Sequence, residues 1–200
     1  MQSKIYPIVD RNGANYSIHK ISLKEVYSLA NFFSELSSST IKLFHPHPFD
    51  ITFLKKILKD GKDLRVILRN SNNKIIGYAF LSKVLLNPGI GYFGIVISEQ
   101  FQGRGLGELF TRALMEIGKA EMCNKIILNV YNDNLRAKKL YVKLGFKKIR
   151  INFFLKYAII ITELIKSEDL QGLVSKIFNK FDRQVKEDRK SIWMMKKMRI

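Results

Sequence analysis

The sequence predicts an α/β fold, a mixed sheet flanked by helices. Three observations predict it. Short apolar stretches bounded by turn residues interleave with segments of helical period. Three alternating glycines, Gly103, Gly105 and Gly107, stand between one such strand and one such helix. Hydrophobic residues make up 46% and charged residues 26% of 200 residues, the balance of a folded chain with a real core.

Tyr16 to Ile21 alternates and reads as the first strand. Ser22 and Glu25 have the spacing of a capping box, and the helix they open should turn Leu23, Val26, Tyr27, Leu29, Ala30 and Phe33 inward until Ser37 to Ser39 end it. Asp50 caps a second helix, Ile51 to Lys59, which stops near Gly61. Asp63 to Arg69 and Lys74 to Leu85 read as strands joined by an Asn70 to Asn73 turn, and Asn87-Pro88-Gly89 as a turn into a strand at 91–97. The helix after the glycines places Leu106, Leu109, Phe110, Ala113, Leu114 and Ile117 on one face and Glu108, Arg112, Glu116 and Lys119 on the other. A strand at Lys125 to Tyr131 is followed by a helix after Asn134 and a strand from Lys147 to Lys156. Leu170, Leu173, Val174, Ile177, Phe178, Phe181 and Val185 recur at helical spacing, so 158–187 reads as a helical insertion before a closing strand, Ser191 to Met198. Residues 1–200 are expected to form one domain carrying that insertion.

The glycines carry the chemistry. Without side chains they leave backbone N–H groups uncovered, and a turn of such groups at a helix N-terminus cradles an anion. The ligand group is therefore a phosphate or pyrophosphate. A dinucleotide fingerprint needs its third glycine three residues after the second, whereas Gly107 follows Gly105 by two. A P-loop needs Gly-Lys-Ser/Thr, whereas Glu108 and Leu109 follow Gly107. What remains is Gln-x-x-Gly-x-Gly at Gln102, Gly105 and Gly107, with Arg104 between.

This pattern resembles motif A of the Gcn5-related N-acetyltransferase (GNAT) superfamily. Asn134, Ala137, Tyr141 and Leu144-Gly145-Phe146 resemble its motif B, in the right order and with a strand between. The resemblance covers about residues 16–156 and the closing strand. It implies the GNAT acyl-CoA N-acyltransferase fold and acetyl-CoA as acyl donor. Its pyrophosphate would lie on Gln102, Gly103, Arg104, Gly105, Leu106, Gly107 and Glu108, with Asn134 as a further ligand. The sheet would splay after the donor strand, leaving Ile95 and Ile97 to pair with the pantetheine arm and Val96 beside the thioester carbonyl. Tyr141 would protonate the leaving thiolate, a task that suits a phenol of ordinary pKa about 10. Each residue also has a plain structural reading: Asn134 as a helix N-cap, Tyr141 as a packed aromatic, Gly145 as the left-handed residue after a helix.

The acceptor side is less specific. Phe44-His45-Pro46-His47-Pro48-Phe49 is a stiffened aromatic loop, and in this fold it would border the acceptor. Relatives place Glu where this chain has Tyr92 and Asn129, which argues against a ribosomal-protein acceptor and leaves the proton acceptor open. His47 is favoured, with His45, a water-mediated Glu99, or an amine of lowered pKa as alternatives. The two imidazoles lack a third ligand nearby, and the chemistry needs no metal.

Composition bounds the rest. The formal net charge is +18, which permits acidic or nucleotide-linked acceptors and nonspecific attraction to nucleic acid, although no RNA-recognition signature or major-groove pattern is present. A lysine-, isoleucine- and asparagine-rich genome would produce the same bias. A single cysteine, Cys123, excludes an internal disulfide, no apolar run reaches the length of a membrane span, and the first residues lack a signal peptide's apolar core, so a cytoplasmic location is expected. The expected activity is N-acetyl transfer to a primary amine of a small molecule: an amino sugar, nucleotide-linked amino sugar, polyamine or aminoglycoside. The alternatives are a protein or peptide acceptor, or a catalytically inactive basic module associated with RNA or ribosomes. The insertion would cover one end of the acceptor cleft or form a homodimer face.

Overall fold

The structure, a computed structural model, describes residues 6–84, 87–120, 123–151, 156, 158–159 and 191–198. Its elements are β1 (Tyr6–Val9), β2 (Asn15–Lys20), α1 (Val26–Ser34), α2 (Ser38–Leu43), α3 (Ile51–Asp60), β3 (Leu64–Asn70), β4 (Ile75–Val84), β5 (Asn87–Ile97), α4 (Leu106–Ala120), β6 (Lys125–Tyr131), α5 (Leu135–Lys143), β7 (Lys147–Ile149) and β8 (Ser191–Lys197). The strands hydrogen-bond in the order β1-β2-β3-β4-β5-β6-β8-β7. β5 pairs β6 in parallel over Ile90–Tyr92, while β1–β2, β2–β3, β3–β4, β6–β8 and β7–β8 are antiparallel. The expected mixed α/β sheet is present. The chain divides into two compact units, one of residues 1–82 and 93–122, the other of 83–92 and 123–200.

In the first unit β3 and β4 are buried almost end to end, the pattern of strands covered on both faces, and Arg65 and Ser82 are buried within them. α1 contributes Val26, Leu29, Phe32 and Phe33 to the core, α3 Leu54 and Ile57, and α4 Leu106, Phe110, Leu114 and Met115. α3 starts and stops where its caps place it: the Asp50 carboxylate accepts the Phe53 N–H at 2.9 Å, and Gly61 closes the helix at φ 62°.

Several local readings are corrected. Leu23 and Tyr27 are 45% and 62% exposed rather than inward. The first turn, Leu23–Glu25, is 3-10, and its tighter winding shifts the inward stripe to begin at Val26 and take in Phe32. Ser37 does not merely end a helix but caps the next, its hydroxyl accepting the Thr40 N–H at 3.2 Å to start α2. On α4 the buried stripe is rotated: Leu109, Ala113 and Ile117 are half-buried, whereas Thr111, Met115 and Gly118 are buried. Thr111 is tolerated because its hydroxyl donates to the Gly107 carbonyl at 2.7 Å. β5 begins at Asn87, where a turn was expected, and β1 was not anticipated, being a short edge strand that contains Pro7.

In the second unit β6 pairs β8 along its whole length, Lys125↔Lys197 to Tyr131↔Ser191, and β7 adds at the edge. Val84, Ile90, Ile127, Ala158, Ile159 and Trp193 form its core, with Tyr92, Ile149, Ile151 and Met195 packed against them. The strand expected from Lys147 to Lys156 is only three residues long, and Lys156, Ala158 and Ile159 are helical. The apolar run there lacks alternation, so periodicity alone cannot tell strand from buried helix. The remainder of the expected 158–187 insertion lies outside the described residues.

One close approach decides where β5 can run. A Cβ built at Gly94 would stand 2.3 Å from Phe80 Cε1 and 2.7 Å from its Cζ, and Phe80 is itself only 2% exposed. Gly94→Ala should therefore destabilise the protein by about 1–3 kcal/mol, the cost of overpacking. Denaturant melts of Gly94→Ala and Gly94→Ala/Phe80→Leu check this: the smaller partner should recover part of the loss, and equal losses would place the strain elsewhere.

Candidate functional site

The turn between β5 and α4 is built from backbone. Gly103 and Gly105 have φ of 88° and 84°, a region that a side chain strongly disfavours. The N–H groups of Glu108 and Leu109 close on the Gly105 carbonyl at 3.0 and 3.3 Å and start the helix. The N–H groups of Gly105, Leu106 and Gly107 have no protein acceptor among the described residues. Uncovered donors and the positive end of a 15-residue helix thus meet at one place, which fits a pyrophosphate.

The residues around that turn divide by role. The Gln102 side chain donates through Nε2 to the Ile97 carbonyl at 2.8 Å, tying the loop to the end of β5. That carbonyl was expected to be free for the pantetheine arm. Ile95 is half-buried, and Val96 and Ile97 are 5% and 8% exposed. Leu106 anchors the turn in the core at 1% exposure. The Glu108 carboxylate pairs Arg112 at 3.0 Å one helical turn on, so it completes the helix start. Arg104, expected to reach the ligand, turns instead onto its own unit. It donates to the Tyr16 hydroxyl at 3.4 Å and to the Gln100 carbonyl at 3.2 Å, and covers the Phe101 ring at 5.2 Å.

A feature that the sequence reading missed lies against this turn. Asp10, 6% exposed, accepts the N–H groups of Asn12 and Ala14 at 2.8 and 2.9 Å and the Tyr16 hydroxyl at 3.1 Å. Burial works to raise its pKa, but these donors and Arg104 outweigh it and hold the carboxyl below its ordinary range. The hairpin so fixed carries Arg11, whose N–H donates to the Arg104 carbonyl at 3.2 Å. Asp-Arg-Asn-Gly at 10–13 is a turn signal, but nothing in it says what the turn abuts.

His47 sits in an aromatic cluster, stacked on Phe53 with ring centroids 5.4 Å apart and edge-on to Phe33, Phe49 and Tyr78. Its Nδ1 lies 2.8 Å from the Pro48 carbonyl, which only accepts, so Nδ1 carries a proton. Its Nε2 lies 3.3 Å from the Tyr78 hydroxyl, which in turn accepts from Arg65 at 2.5 Å. Arg65 pairs Asp63 at 2.6 Å, both side chains about 5% exposed. A chain of hydrogen bonds runs from Arg65 through Tyr78 to His47. His45 is exposed, with Nδ1 3.3 Å from the Ile41 carbonyl.

Glu99 is not available as a base. Burial works to raise its pKa, but the hydroxyls of Ser37 and Thr40 and the Ser37 N–H, at 3.0 Å, outweigh it and hold the carboxyl at about 2. It serves as an anchor for the start of α2.

In the second unit Asn134 caps α5, its Oδ1 accepting the Ala137 N–H at 3.1 Å, which leaves its Nδ2 hydrogens for a ligand. Tyr141 is 7% exposed and packs on Phe146 with centroids 5.6 Å apart. Burial pushes its phenol further above the ordinary value, so it holds its proton at neutral pH. Gly145 follows the helix at φ 83°, as expected. The Nδ2 of Asn129 is buried without a hydrogen-bond partner. Among the described residues there is no cluster of three or more His, Cys, Asp or Glu, and no helix is long and apolar enough to cross a membrane.

Residues 26–146 match the family described as Acetyltransferase (GNAT) family, and the chain belongs to it. A spermine/spermidine N(1)-acetyltransferase of Bacillus subtilis is 35% identical over 52 residues, 26% of this chain and 34% of that protein. An uncharacterized N-acetyltransferase of the same organism, YobR, is 37% identical over 59 residues, 30% of this chain and 24% of that protein. The matches thus span about a quarter to a third of these curated relatives' lengths. Among solved structures, the GNAT domain of S. lividans PAT superposes with a TM-score of 0.71 at 11% identity, over 97% of each chain. Spermidine N-acetyltransferase from Vibrio cholerae, in complex with CoA and spermine, superposes with a TM-score of 0.56 at 20% identity, over 68% of this chain and 82% of that one. At these identities the superpositions establish the fold alone.

The Glu99 anchor has a pH signature. Its folded pKa lies below the ordinary 4.5, so its stabilisation is complete above pH 4.5 and is lost as pH falls toward 2. Melting temperatures of the wild type and Glu99→Gln should differ at pH 7 and converge at the acid end of that window. A gap that stays constant with pH would mean that the carboxylate's charge plays no part.

Proposed function

We propose that the chain transfers an acetyl group from acetyl-CoA to a primary amine on a small molecule, by direct attack in a ternary complex. The observation that carries this reading is the uncovered Gly105–Gly107 backbone at the start of α4, in a chain of the acetyltransferase family. The turn and the helix dipole would bind the pyrophosphate, the β5 backbone at Ile95 and the remaining lone pair of the Ile97 carbonyl the pantetheine arm, and the Asn134 amide a further donor atom. A strand N–H at Val96 or Ile97 would stabilise the oxyanion as the amine lone pair adds to the thioester carbon. His47 would take the proton that the amine loses, its Nε2 exchanging the Tyr78 hydroxyl for the incoming donor. As the C–S bond breaks, Tyr141 would give its phenolic proton to sulfur and recover one from solvent.

The acceptor follows from charge. The B. subtilis relative named for spermine and spermidine brings a polyamine into the set. A net charge of +18 opposes a polycation. An amine that also bears phosphate, such as a nucleotide-linked amino sugar, is drawn in by the same field.

Calorimetric titration with acetyl-CoA at near-physiological salt should give one-to-one micromolar binding. No binding would remove the donor reading and favour a basic module without catalysis. Thiol release measured with spermidine and with a nucleotide-linked amino sugar then separates the acceptors, and faster turnover of spermidine at low salt would reverse the charge argument.

Tyr141→Phe should lower kcat while leaving acetyl-CoA affinity nearly unchanged. If affinity falls in step, the tyrosine is structural. His47→Ala should lower kcat by more than about tenfold at saturating substrates, at the low end of general-base effects. A smaller loss assigns proton removal to water.

A further inference from the structure

Among the described residues, Arg11 lies beside the glycine turn with its guanidinium unengaged. A Cβ built at Gly105 would meet Arg11 Nε at 3.0 Å, Cγ at 3.2 Å and Cδ at 3.4 Å, so the Arg11 side chain packs directly on Gly105. Its guanidinium donates to no protein acceptor among the described residues, and the residue is exposed. Arg104, by contrast, is engaged by Tyr16, Gln100 and Phe101. Arg11 is also held in place from behind. The Asp10 carboxylate organises its turn through Asn12, Ala14 and Tyr16, and its own N–H is tied to the Arg104 carbonyl, one residue before Gly105.

We propose that Arg11 clamps the pyrophosphate of the acyl donor against the Gly105–Gly107 backbone, supplying the cation that Arg104 does not. This rests on the donor reading above. A guanidinium presents paired N–H groups that match two phosphate oxygens, and the backbone donors of the turn address the others. The hairpin thereby makes a residue near the start of the chain part of the donor site. It also explains why Gly105 must lack a side chain on a second ground besides its φ: a methyl group there would displace Arg11.

The test compares wild type, Arg11→Ala and Arg11→Lys against three probes: acetyl-CoA, dephospho-CoA, which keeps the pyrophosphate but lacks the 3′-phosphate, and acetylpantetheine, which has neither. Arg11→Ala should weaken acetyl-CoA and dephospho-CoA alike by about tenfold, the scale of one charge-assisted contact. Acetylpantetheine, followed by chemical-shift perturbation, should be unaffected. Arg11→Lys should recover part of the loss, because it restores the charge without the fork. Melting temperatures should not move, since the turn is held by Asp10 and the backbone. Unchanged affinity in Arg11→Ala overturns the proposal. So does a loss confined to acetyl-CoA, which would place the contact on the 3′-phosphate, or an equal loss with acetylpantetheine, which would make Arg11 a prop for the loop. A wild-type chain that binds no probe overturns the donor reading itself.

Discussion

The structure depends on a backbone that must pass through positive φ twice within three residues. Gly103 and Gly105 do so at 88° and 84°, and only there can β5 end, turn, and present three N–H groups before α4 begins. Much of the first unit is arranged to hold that path. Gln102 reaches back to the Ile97 carbonyl, Leu106 is driven into the core, and the Arg104 carbonyl receives the hairpin through Arg11. A turn with exposed donors would gain more from water than from order if it were not pinned at both ends. Here the pins are side chains and neighbouring strands, so the donors stay uncovered without the turn becoming loose.

The same unit keeps two carboxylates ionised for structural ends. Asp10 gathers two backbone donors and a phenol, and Glu99 gathers two hydroxyls and an amide, each held below its ordinary pKa although burial opposes it. Both stand at the borders of the segments that matter chemically, the first hairpin and the start of α2. α2 leads directly into the loop that carries His47, so the Glu99 contact fixes the start of the segment that precedes that loop. The Arg65–Asp63 pair is the counterpart deeper in the core. A buried ion pair of this kind adds little net stability, but it holds the Tyr78 hydroxyl within hydrogen-bond reach of His47.

How much of this was legible varies with the range of the interactions. Asp50, Gly61, Asn134 and Gly145 were readable because caps and left-handed residues act within a few positions of themselves. β6 was found with its observed bounds because a short apolar run and a flanking turn agree over seven residues. The inward face of α1 was misread because a 3-10 turn changes the phase, and nothing in the local sequence announces that change. The glycine turn was legible as chemistry, but the division of labour around it was not. Arg104 lies inside the motif and faces away, while Arg11 lies far from the motif and faces it. The place of Arg11 beside Gly105 was not legible, because a hairpin contact across the unit carries no periodic signal.

Charge closes the argument about the acceptor. Family membership explains the donor side and is silent on what receives the acetyl group, since one donor site serves many acceptor loops. The features of this chain that bear on the proposed acceptor are an aromatic cluster around His47 and a large excess of cations. An aromatic wall suits a planar or sugar-bearing ligand better than a flexible polycation, whose ammonium groups need anionic partners as they shed water. The short identity to polyamine acetyltransferases covers about a quarter of the chain, well within what a shared donor site alone would produce. Likeness to those enzymes therefore argues for the acetyl donor, and the chain's own charge argues for an acceptor that brings phosphate with its amine.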